Sequence, residues 1–154
     1  VTFTSATTIS FTTGTAGLTN GQNVRILVTN PDGNAARSSS DLVVSDGPVF
    51  TTTSLPNGSA GTSYSQNIDV TGDSAITISQ SVVSGSLPPG ITIGTTSNPS
   101  GSTYRAVISG TLPSPASETQ YSFTVRATDA QGQTTDQALS ITVEVGIQNA
   151  GGFC

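Results

Sequence analysis

The sequence predicts an all-β protein built of antiparallel β-sandwiches, and three observations lead there. Apolar and polar residues alternate with period two through most of the chain. No window of helical length carries apolar residues at i, i+3, i+4 and i+7 free of Gly, Pro or β-branched runs. Thr and Ser together make 49 of 154 residues, 26 and 23 of them. Threonine is β-branched and suits a half-buried pleated surface, while Ser, with 17 Gly and 8 Pro, supplies turns.

In order along the chain, Val1 with Phe3 and Ile9 with Phe11 open the alternation. Val24, Ile26 and Val28 form one face of a strand whose other face carries Arg25 and Leu27, and Leu42 with Val44 form the next. The cluster Ser45-Asp46-Gly47-Pro48 then breaks the pattern. It resumes at Val49-Phe50 and continues through Tyr64, Gln66, Ile68 and Val70. Ile76 and Ile78 form a short strand that Val82-Val83 extends, and Ile91 with Ile93 form another. Tyr104, Ala106 and Ile108 alternate, as do Tyr121, Phe123, Val125 and Ala127, and Leu139, Ile141, Val143 and Val145. Turn signals separate the runs at Asn20-Gly21, Asp32-Gly33, Asn57-Gly58, Thr71-Gly72-Asp73 and Gln131-Gly132.

The break at Asp46 to Pro48 reads as a domain boundary. Residues 47–146 hold about seven strands, which suits one immunoglobulin-like sandwich. Residues 1–46 hold about four, too few to bury a core of their own, and residues 147–154 read as a tail or linker. Both ends look cut from a longer chain. The expected architecture is therefore tandem immunoglobulin-like sandwiches, the first one partial.

Composition removes several function classes. All four basic residues are arginines, scattered at Arg25, Arg37, Arg105 and Arg126, and the net charge is −5. Binding nucleic acid or anionic lipid needs clustered cations, so neither is an expected partner. No run spans a membrane or reads as a signal peptide. Without histidine there is no His-based triad or imidazole zinc site, and Cys154, the one cysteine, has neither an activating base nor an intrachain disulfide partner. Glu118 and Glu144 are the only glutamates, and nothing pairs them for acid/base work. No catalytic residue and no cofactor is expected.

Four motifs in residues 47–146 carry a resemblance. They are Leu55-Pro56-Asn57-Gly58-Ser59-Ala60-Gly61-Thr62-Ser63-Tyr64-Ser65, then "SGSLPPGITI" from Ser84 to Ile93, "ISGTLPSP" from Ile108 to Pro115, and "YSFTVRATDAQGQ" from Tyr121 to Gln133. In this order the segment resembles the putative-Ig family of bacterial and phage surface proteins, related to cadherin-like modules of dystroglycan type. Its fold markers here are Leu87, Pro88, Pro89, Gly90, Gly110, Tyr121, Phe123, Asp129 and Gly132. The stretch Gly94 to Thr103 is longer than the family pattern and reads as an extended hairpin tip. Residues 1–46, with "VTNPDG" at Val28 to Gly33, are similar to the C-terminal half of an IPT/TIG domain.

Cadherin-like kinship raises calcium, for which Asp129 and Asp136 are the candidates. Calcium wants six to eight oxygens and the family's acidic linker is missing, so Asp129 is expected instead to cap its turn. Tyr64, Tyr104 and Tyr121 lie in alternating strands and are expected in the core rather than on a sugar-stacking platform. In "SLPPGITI" the prolines and glycine stand directly before a strand, so the run reads as a strand entrance and not as a docking segment. Pro89→Ala is accordingly expected to change stability more than binding. The resemblance implies a non-catalytic structural or adhesive module of a phage virion protein (fibre, neck or capsid decoration), a spacer and weak multivalent binder in a larger multi-copy assembly. Its expected partners are other virion or cell-surface proteins and host glycans, and its expected place is the virion. The alternatives are an extracellular bacterial adhesin segment and a carbohydrate-binding accessory domain of a secreted enzyme.

Overall fold

The computed structural model describes residues 2–5, 8–10, 22–29 and 31–146, and every element in them is a strand. The chain divides into two compact units, Val1–Ser45 and Asp46–Cys154. The expectations for Phe11, Asn20-Gly21 and residues 147–154 lie outside the described residues.

In the first unit β1 (Thr2–Ser5) pairs with β2 (Thr8–Ser10), bringing Phe3 opposite Ile9. The strand expected through Val24 and Val28 is instead two short ones. β3 (Asn23–Val24) pairs with β6 (Leu42–Val43), and β4 (Leu27–Thr29) pairs with β5 (Ala35–Arg37). Ile26 breaks the run because both its backbone groups turn to Ser38. Its N–H donates to Ser38 Oγ at 3.1 Å and its carbonyl accepts from Ser38 N at 2.8 Å. Leu27, Val28 and Leu42 are exposed, and no side chain described in this unit is buried.

The second unit is a sandwich of two five-stranded sheets. One runs β12 (Ile91–Ile93), β14 (Thr103–Thr111), β9 (Ser63–Thr71), β7 (Val49–Phe50), with β13 (Ser97–Ser100) also on β14. The other runs β10 (Ile76–Ile78), β15 (Thr119–Asp129), β16 (Thr134–Glu144), β8 (Gly58–Ser59), with β11 (Ser84–Gly85) also on β15. The alternation read in the sequence is the alternation of burial. Tyr64, Ile68 and Val70 of β9 face Ala106 and Ile108 of β14, Phe123, Val125 and Ala127 of β15, and Leu139, Ile141 and Val143 of β16 in one core. Burying a side chain of this size contributes about 1.5–3 kcal/mol.

Ten strands stand where seven were expected. One extra arises because the entering chain splits. β7 pairs antiparallel with β9, then the chain crosses over and β8 pairs parallel with β16. Pro56 sits in the crossing, where a residue without an N–H forfeits no ladder bond. The Gly94 to Thr103 stretch supplies β13, which folds back on β14 through a turn at Gly101-Ser102. Val82-Val83 does not extend β10. The chain kinks there, Val83 N donates to Thr124 O at 2.8 Å, and β11 follows. Nor is Asn57-Gly58 a turn, since Gly58 lies in β8 opposite Val143. Glycine is required for space: a Cβ on Gly58 would stand 2.3 Å from Leu112 Cδ1.

Candidate functional site

Two of the sequence motifs meet at one junction. Ile91 N donates to Pro88 O at 3.1 Å across Pro89 and Gly90, whose φ is +89°. Proline second and a left-handed glycine third define a type II turn. It launches β12, which pairs Ile91 with Gly110 of "ISGTLPSP". Gly110 has φ +149°, and a Cβ there would stand 2.0 Å from Gly90 O. Pro88 is buried, Leu87 packs against the core and Pro89 is exposed. Pro89 therefore acts by presetting the turn, and Pro89→Ala should cost about 0.5–1 kcal/mol through greater freedom of the unfolded chain. Urea denaturation would read this as a lower midpoint at unchanged slope; a loss several times larger would mean that Pro89 packs rather than presets.

The second motif cluster is the turn joining β15 to β16. Asp129 is buried, and its Oδ1 accepts from Gln131 N at 3.0 Å and Gln133 N at 2.7 Å. Its Oδ2 accepts from Gln133 Nε2 at 3.0 Å. Gly132, at φ +83°, donates its N–H to Asp129 O at 3.1 Å. Asp136 is gripped by Arg126, Nε to Oδ1 and Nη2 to Oδ2, both at 2.7 Å. The two calcium candidates are thus both engaged by N–H donors, and among the described residues no group of three or more Asp, Glu, His or Cys could hold a metal. The Arg126 guanidinium holds the Asp136 carboxyl below its usual 3.8. A depressed carboxyl stabilises above the unfolded value and loses that contribution as pH falls through the folded one. Asp136→Asn is expected to flatten the acid limb of stability below about pH 4 relative to the parent; superimposable acid limbs would show that the pair contributes nothing.

The outward faces of both sheets are polar. On β15 and β16 the outward register is Gln120 opposite Thr142, Ser122 opposite Ser140, Thr124 opposite Ala138 and Arg126 opposite Asp136. Ser84 Oγ donates to Thr124 Oγ1 at 2.9 Å. On the other sheet Ser65 lies opposite Ser109 and Asn67 opposite Val107. There Arg105 holds Asp69 through two bonds at 2.6 and 2.7 Å. A shallow cleft of about 460 Å³ crosses the β15–β16 face between Thr53–Leu55 and Ser84–Gly85. The tyrosines do not form a platform. Tyr64 is buried, donating its hydroxyl to Pro56 O at 2.8 Å, and burial pushes that phenol up. Tyr104 and Tyr121 pack against the core, and Phe123 is within it.

A family model described as "Putative Ig domain" matches residues 47–144, the whole of this sandwich. The chain belongs to this Ig family. No curated protein matches its sequence. Among solved structures, the titin M10–obscurin-like 1 Ig mutant complex is 14% identical at a TM-score of 0.39, covering 66% of this chain and 97% of that one. The titin M3 domain is 24% identical at 0.40, covering 64% and 97%. An endo-fucoidan hydrolase of glycoside hydrolase family 107 is 20% identical at 0.42, covering 80% of this chain, which in turn spans 22% of the hydrolase.

Several residues that shape the Ig domain escaped sequence reading. Gly58 and Gly85 admit close backbone and side-chain approach, Leu112 fills the space beside Gly58, and the Asp69–Arg105 pair anchors one outer face. The only sequence signal for the pair is that both partners stand in alternating strands.

Proposed function

We propose that this Ig chain is a non-catalytic spacer and weak multivalent surface binder of a phage virion protein. The observation that carries the reading is the pair of outward sheet faces. One carries Gln120, Ser122, Thr124, Ser140 and Thr142, the other Ser65, Asn67 and Ser109 beside Val107, and the charges at Arg105–Asp69 and Arg126–Asp136 are paired off within them. Such a surface offers many hydrogen-bonding groups and little charge, so each contact is weak and affinity arises from copy number. Asp129, the buried polar residue of the sandwich, serves its turn. In this reading residues 1–46 are the C-terminal part of an IPT/TIG-like sandwich, whose absent strands would cover apolar side chains now exposed, such as Leu27 and Leu42. Imaging of the parent particle tests the proposal: the chain should be found ordered and in many copies on a capsid, neck or fibre. Finding it on a bacterial cell wall would replace the virion with an adhesin.

The hydroxyl-lined cleft favours one second reading, a carbohydrate-binding accessory domain. It predicts that the isolated chain is retained on a polysaccharide or glycan array and that Ser122→Ala with Ser140→Ala reduces retention. No retention across a broad array would remove it.

A further inference from the structure

We infer that Asn57 is a deamidation site whose reaction is gated by the parallel β8–β16 contact and makes release of β8 permanent. Asn57-Gly58 is the dipeptide in which an asparagine most readily cyclises, because glycine puts no side chain in the way of its own nitrogen. The sequence reads it as a turn, where the reaction would run freely. In the fold, Gly58 lies in β8 opposite Val143, Ala60 N donates to Glu144 O at 2.9 Å, and Asn57 Nδ2 donates to Glu144 Oε1 at 2.9 Å. Cyclisation requires Gly58 N to swing onto Asn57 Cγ, which the pairing of Gly58 with β16 and the hold of Glu144 on the Asn57 amide oppose. Gly58 has to leave the ladder first.

The chemistry then proceeds with water alone. Gly58 N, losing its proton to solvent, bonds to Asn57 Cγ, the Cγ–Nδ2 bond breaks and ammonia leaves. Water opens the resulting succinimide at either carbonyl, giving aspartate or isoaspartate. Either product replaces the N–H donor that met Glu144 with a carboxylate, so attraction becomes like-charge repulsion. Isoaspartate also adds a methylene to the main chain, shifting β8 out of register with Val143 and Glu144. Asn57 is exposed, so water reaches it. β8 is two residues long and pairs on one side alone, which places its opening at the low end of local stability. The contact therefore records each opening as a chance of irreversible change.

Peptide mapping of the whole chain, held at mildly alkaline pH natively and in urea, tests the gate. Asn57 should convert in urea at the rate of Asn20, which stands in the same dipeptide, and natively at least about tenfold more slowly, since each tenfold corresponds to about 1.4 kcal/mol of opening. Equal native and urea rates, or no conversion in urea, would overturn the inference. The consequence is tested separately by thermal melting. Asn57→Asp should lower the midpoint, and Glu144→Gln added to it should restore the midpoint by returning an amide donor to the pair. An Asn57→Asp variant as stable as the parent, or one that Glu144→Gln leaves unrescued, would sink the claim that the product keeps β8 from returning.

Discussion

Gly110→Ala is expected to destabilise the Ig domain by about 3–5 kcal/mol, combining a disallowed backbone angle with a backbone clash. The two contributions are separable. Gly110 holds φ +149°, a region that side-chain-bearing residues adopt only under strain. Its absent Cβ would stand 2.0 Å from Gly90 O and 3.2 Å from Ile91 Cα, both main-chain atoms. Neither can rotate away. Relief requires β12 to separate from β14 at the Ile91–Gly110 pair, which also undoes the type II turn feeding it. Gly132→Ala supplies the comparison, because Gly132 has φ +83° with nothing within 4 Å of its notional Cβ. That change should cost about 1 kcal/mol, the strain alone. Domains of this size are stable by about 5–15 kcal/mol, and each kcal/mol moves the melting midpoint by about 4–8 °C. Gly110→Ala should therefore melt at least about 12 °C below the parent and Gly132→Ala only a few degrees below. Equal losses from the two would mean that φ alone governs both sites and that the Gly90–Gly110 approach is not tight.

The comparison of these glycines explains which parts of the fold are legible in sequence. Period-two alternation depends on which face of a strand meets the core, so Tyr64 to Val70 and Leu139 to Val143 read correctly without knowing any partner. A glycine is ambiguous because the same residue answers two needs. Gly132 serves a backbone angle alone and reads as a turn, whereas Gly90 reads as a strand entrance and serves both angle and space, its notional Cβ standing 2.7 Å from Thr111 O. Gly58 serves space against Leu112, and its dipeptide with Asn57 imitates a hairpin signal. Pairings across strands are illegible for a different reason. Asp69 and Arg105 meet 36 residues apart only because β9 and β14 adopt one register, and a shift of one residue would turn them to opposite faces. Asp129 could be read because its partners, Gln131 and Gln133, lie within its own turn. The outward hydroxyl faces lie between these cases. Composition announces many Ser and Thr, whereas only the register shows Ser122 beside Ser140 and the neighbouring charges neutralised in pairs.

Leu112→Ala should remove about 2–5 kcal/mol, the range for truncating a buried leucine. Leu112 is 2% exposed, follows β14 directly, and is held by its N–H donating to Thr62 O at 2.9 Å. Its Cδ1 occupies the position that a Cβ on Gly58 would need, with Tyr64 Cδ2 next at 3.1 Å. Gly58→Ala alone should therefore cost about 1–3 kcal/mol by overpacking. The added methyl and the missing isobutyl group fill and vacate the same space. In the double variant the new Cβ enters the cavity that Leu112→Ala leaves, so the two losses should not add. A double-mutant cycle by denaturant unfolding should give a favourable coupling of about 1–2 kcal/mol, above the few tenths expected of independent sites. Strict additivity would place Gly58 in β8 for backbone freedom alone and would remove the packing account of "LPNG". A coupling of the expected size would instead tie that motif to "ISGTLPSP" through one side-chain contact, as Gly90 ties "SLPPG" to it through the main chain.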